Sequence, residues 1–92
     1  MNPKESERPT PRDWPQLIHG EPVPFGAPVE ELDHIIATSG PTGRRWACFV
    51  ALAQHGCPAS LASLRRHEAS TEVHVRRAAI EAIGRHALGA LE

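Results

Sequence analysis

From Pro28 onward the apolar residues recur at the three- and four-residue steps of a helix. Val29, Leu32, Ile35 and Ile36 share one face of a first segment, Glu30 and Glu31 sit near its positive end, and Gly40-Pro41 closes it. A second segment runs from about Arg44 to His55, after Thr42-Gly43 and before Gly56. A third opens at Pro58, turns Leu61 and Leu64 inward and frays near Glu68. Ser70-Thr71-Glu72 offers caps for a fourth, from about Val73 toward the C-terminus. No strand-like alternation competes after Gly26, so the pattern predicts an all-α unit.

The first quarter of the chain reads differently. Seven of the nine prolines lie at or before Pro28, and residues 1–12 (MNPKESERPTPR) are charged and hold too little apolar surface to offset the entropy of ordering. Asp13 to Gly20 suggests one helical turn, with Asp13 as cap and Gly20 as stop, whose Trp14, Leu17 and Ile18 need somewhere to dock. Glu21-Pro-Val-Pro-Phe-Gly26 reads as an extended connector. The expected organisation is a Pro-rich, largely disordered or extended segment over 1–25 and a helical domain over 26–92.

An internal repeat organises that domain. Shifting the chain by 31 residues sets Arg45 on Arg76, Ala47 on Ala78, Ala51 on Ala82 and His55 on His86, with Phe49/Ile80 and Leu52/Ile83 matched in kind. Alanines at these steps let helices approach closely while the larger residues fill the layer between them. The segment Thr71 to Gly84 (TEVHVRRAAIEAIG) resembles the first helix of the HEAT-like repeats of phycobilisome linker and bilin lyase proteins, in its Val-Arg, Ala-Ala and Ile-Gly pairs. The resemblance is strongest over 70–86. It weakens over 42–68, where Ala53 replaces the usual glycine, and over 28–40 amounts to a lone second helix. It implies a short α-solenoid of HEAT-like antiparallel helix pairs, two to three repeats long, behind a Pro-rich N-terminal extension. Proteins of that fold include scaffolds, bilin lyase subunits, DNA glycosylases and a metal-dependent hydroxylase, so the resemblance implies a fold more than an activity.

Charge is uneven. Residues 1–33 hold seven acids against three bases, whereas 34–92 hold four acids against seven arginines, a modest surplus that suits an acidic partner. A single lysine against nine arginines fits the usage of a GC-rich genome, expected to be bacterial. The two cysteines imply no disulfide framework; Cys48 sits in an apolar run as a small hydrophobe. No apolar stretch approaches the roughly 20 residues of a membrane span, so a cytoplasmic protein is the expectation. A helical unit below about 70–80 residues gains little net stability from one core, which predicts self-association or a standing partner.

Candidate sites each have a plain structural reading beside them. Arg44-Arg45, Arg65-Arg66 and Arg76-Arg77 recur near helix ends, where they would either meet acids of the fold or bind an external anion. The resemblance implies that Arg45 and Arg76 pair with an acid in a neighbouring turn. His55 and His86 hold equivalent places, but stacked helices lie about 8–10 Å apart, too far for one ion to be shared without help. Neither a metal nor a cofactor is expected. Cys57 before Pro58 reads as a cap. In the fourth helix His74, Arg77, Glu81 and Arg85 form a polar stripe, and the places 31 residues earlier are Gly43, Trp46, Val50 and Gln54. Trp46 and Val50 are therefore expected either beneath the Trp14–Phe25 segment or at a partner's contact. The function expected is a non-catalytic protein-interaction, scaffold or adaptor module binding a protein partner, or a second copy, through Trp46, Val50, Arg44, Arg45, Arg76 and Arg77. A nucleic-acid-binding module using the arginine pairs, or an accessory subunit of a lyase-type enzyme, is the alternative.

Overall fold

The computed structural model describes residues 15–89. A short hairpin of β1 (Leu17–Ile18) and β2 (Glu21–Pro22) is followed by four helices: α1 (Val29–Thr38), α2 (Gly43–His55), α3 (Pro58–Glu68) and α4 (Val73–Arg85). The strands pair antiparallel, Leu17 opposite Pro22 and Ile18 opposite Glu21. This overturns the helical turn expected over Asp13–Gly20, whose first two residues lie outside the described part. His19 and Gly20 take positive φ angles of 51° and 88°, the signature of a type I′ hairpin turn, which glycine makes accessible.

The helix limits follow the local chemistry. Pro28 precedes α1 in an extended conformation, with Glu30 and Glu31 in the first turn. Thr42 stands at the N-cap of α2. Gly56 ends that helix with φ of 62°, a left-handed stop that a side chain would resist. Cys57 and Ser60 open α3 reciprocally, the Cys57 backbone N–H donating to Ser60 Oγ at 3.2 Å.

Helix α2 is the centre of the molecule: α1, α3, α4 and both strands pack against it, and Arg45 and residues 47–53 are all buried. Phe49, Leu32, Ile36, Leu52 and Leu64 are the largest fully enclosed apolar side chains. Ile18 and Val23 join the same core, and Phe25 packs against it. Gly43 shows why the hairpin fits. A Cβ there would lie 2.7 Å from the Ile18 carbonyl oxygen and 2.8 Å from His19 Cβ, so only glycine allows this approach. At the other end of α2, His55 Nε2 lies 2.7 Å from the Ala27 carbonyl oxygen. Gly43, Ala47, Ala51 and His55 share one line at four-residue steps, and the segment from β1 to Ala27 touches both ends of it.

A polar clasp joins α1 to α3. Asp33 accepts hydrogen bonds from Ser63 Oγ, from His67 Nε2 at 3.0 Å and from Arg66 Nη2 at 2.8 Å. Burial pushes the Asp33 carboxyl up, but the Ser63 and His67 hydrogen bonds and the charges of His67 and Arg66 together hold it below its ordinary value. No described helix is long and apolar enough to cross a membrane.

Candidate functional site

The arginines equivalent in the 31-residue repeat are built alike. Arg45 Nη2 donates to the Ser39 carbonyl at 2.6 Å, and Arg76 Nη1 donates to the Ser70 carbonyl at 3.0 Å, so each reaches back six residues to the same place in its repeat. They differ in what else they hold. Arg45 is buried and its Nη1 meets Glu72 Oε2, in front of α4, at 2.5 Å. Arg76 has a second backbone carbonyl, that of Thr71 at 3.2 Å, and no carboxylate among the described residues. Arg44 and Arg77 are exposed and make no hydrogen bond or ion pair with another described residue. Of the four arginines expected to meet a partner, Arg45 is thus held by the fold, Arg76 is half engaged, and Arg44 and Arg77 have no such bond among the described residues.

Trp46 and Val50 are placed by α4 itself. Together with Phe49 and Ala53 they form one wall of a cleft whose other wall is Ala78, Ala82 and Arg85. Val50 is only 8% exposed, and the Trp46 ring lies 6.5 Å from that of Phe49. Val50 is thus covered from the side of α4, and Trp46 is half-buried beside it. Trp46 and Val50 belong to the seam between α2 and α4, where the alanines of one repeat admit the bulk of the other. The cleft holds about 20 Å³, room for one water and for no small-molecule ligand.

The exposed counterpart lies one repeat further on. Shifting Trp46, Phe49, Val50 and Ala53 by 31 residues reaches Arg77, Ile80, Glu81 and Gly84, the outer face of α4, and all four are exposed. Ile80 is 55% exposed and Val73, at the start of the same helix, 47%. A Cβ at Gly84 would meet nothing within 4 Å. Among the described residues no helix covers this face. The pattern holds a signal for it, since a repeat shift carries a contact face as readily as a residue identity.

The polar groups that could suggest catalysis are tied down. Leu88 N–H donates to His86 Nδ1 at 3.0 Å, so the neutral ring carries its proton on Nε2 and donates it to Ser60 Oγ at 2.8 Å. Ser60 Oγ in turn donates to the Cys57 carbonyl at 3.0 Å. A serine that receives the imidazole proton is not one the imidazole activates. Ser63 is fully buried and bonds to Asp33 rather than to an imidazole. The Ser60 hydroxyl, followed by backbone N–H groups at the start of α3, lowers the Cys57 thiol's pKa, while burial pushes Cys48 up to about 11. No three His, Cys, Asp or Glu side chains among the described residues converge as a metal site would require.

Comparison with family models, with curated proteins and with solved structures finds no match to this chain. What the described residues define is a mostly helical protein whose last helix, α4, exposes Val73 and Ile80.

Proposed function

We propose that this chain is a non-catalytic protein-interaction or adaptor module, built as a short HEAT-like α-solenoid of two to three repeats, that takes a protein partner on the outer face of α4. The observation that carries this reading is the open position of Ile80 in the very place where its repeat equivalent, Phe49, is sealed by a neighbouring helix. An isoleucine and a valine on one helix, with Arg77 between them, form a small apolar patch with a charged centre, the composition of a contact that a partner's apolar anchor completes. The test is capture from native cells by the wild-type chain and by Ile80→Glu, each checked for unchanged helical circular dichroism. Loss of a specific captured protein with the variant supports the reading; equal capture by both moves the surface elsewhere.

Arg44 and Arg77 favour a second reading, nucleic-acid binding, because neither is spent on an ion pair with a described residue. Two such arginines are few for phosphate-driven binding, which draws its affinity from many contacts at once. Retention of DNA or RNA at low salt, weakened by Arg44→Gln with Arg77→Gln, would favour it over the first.

A further inference from the structure

We infer that the partner taken by α4 is a helical repeat of a separate polypeptide, whose helix lays a pair of small residues four apart over Ile80 and brings a carboxylate at its N-cap to Arg76. The inference rests on the interaction reading above and deepens it by naming the occupant.

The chain contains its own template for this contact. Where α4 meets α2, three features act together: Ala78 and Ala82 give the helix a shallow face, the bulk of Trp46, Phe49 and Val50 fills the space opposite, and Glu72, immediately before α4, reaches Arg45. Two of the features on the α2 side, the central apolar residue and the anchored arginine, reappear on α4. Ile80 stands for Phe49, Arg76 for Arg45, and Gly84 for Ala53, with room above it. Among the described residues no incoming helix and no acid complete the set. Arg76 is poised as Arg45 is, anchored to the equivalent serine carbonyl, but its only described acceptors are backbone oxygens. A carboxylate arriving where Glu72 sits relative to Arg45 supplies the charge complement. The polar residues beside Ile80 suit a partner that can also leave, since Arg77 and Glu81 replace Trp46 and Val50 and keep the free face soluble.

A second copy of this chain does not fit the same description. Its Ala78–Ala82 face is occupied by α2. The line of Gly43, Ala47, Ala51 and His55 on its α2 is met at both ends by the chain's own N-terminal segment. The shallow helix face that would cover Ile80 is therefore supplied from outside residues 15–89.

The probe is an added repeat supplied in cis: residues 59–89 duplicated directly after Gly89 of the full chain, so that a second Glu72 and a second Ala78–Ala82 pair can dock. Stacking predicts one cooperative thermal transition, at a higher temperature than the parent. It also predicts that Arg76→Met becomes more destabilising in the extended chain than in the parent, because only there does Arg76 hold a carboxylate. Changing the added copy's Glu72 to Gln should remove that difference, and changing its Ala82 to Glu should return the melting temperature to the parent's. Two separate transitions, or an Arg76→Met effect equal in both contexts, overturns the inference. Light scattering of the parent tests the remaining occupant: a dimer at micromolar concentration that Ile80→Glu dissolves would make the partner a second copy and also overturn it. If the added repeat fails to stack while Ile80→Glu still abolishes capture from cells, the interaction reading survives and the occupant is not a helical repeat.

Discussion

Helices α2 and α4 carry the same residue pattern one repeat apart, yet one lies at the centre of the molecule and the other at its edge. The alanines at 47, 51, 78 and 82 are buried in both, and the two buried-side arginines reach the same serine carbonyl of their own repeats. The helices part on the opposite flank. On α2 that flank carries Trp46, Phe49 and Val50 and is closed by α4; on α4 it carries Arg77, Ile80 and Glu81 and is open. Equivalent sequence therefore does not mean equivalent energetic weight, because a side chain contributes according to what covers it.

The largest consequence is at the pair Phe49 and Ile80. Phe49 is enclosed and sets its ring edge-on to His67 at 5.5 Å, so Phe49→Ala is expected to cost about 3–5 kcal/mol in chemical denaturation. Ile80→Ala should stay within about 0.5 kcal/mol of wild type. Similar losses at both positions would mean that α4 is covered in solution, and would break the contrast.

The glycines of the two helices sharpen it. Gly43→Ala forces a methyl group against the hairpin backbone and should destabilise by about 1–3 kcal/mol. Gly84→Ala adds a methyl group in open space near the end of α4 and should stabilise by about 0.5–1 kcal/mol, through helix propensity alone. A tolerated Gly43→Ala would show that the hairpin is not held against α2.

The smallest effect expected is on pH dependence. Burial lowers the His86 pKa from its ordinary value, so the folded state favours the neutral ring while the unfolded chain takes up a proton more readily. The stability this provides is complete above the ordinary histidine range, about pH 6.5, and is lost as pH falls through the folded value. Asp33 acts with the same sign lower down, its contribution present above the ordinary carboxylate range and lost as its depressed value is passed. Melting temperature should therefore fall from pH 7 to pH 5, and His86→Gln, which keeps a donor toward Ser60, should flatten that slope. An unchanged slope would remove His86 from the account.

Much of this was legible along the chain, for local reasons. Helical spacing, proline at helix starts, Gly56 as a left-handed stop and the 31-residue repeat are properties of short stretches, and the four helices fall where these signals stand. The hairpin was hidden because its strands are two residues long, too short for alternation to show, and its turn rests on the His19-Gly20 conformation. The direction of the Trp46–Val50 flank was hidden for another reason. Apolar pattern records which side chains need cover but not which segment supplies it, and here the cover comes from residues 78–85, some 30 positions away. By itself the sequence determined the helices, their limits and their kinship. Only the tertiary structure decided which repeat is sealed and which is open, because that depends on the order in which helices stack, and stacking is a contact between residues that no local spacing connects.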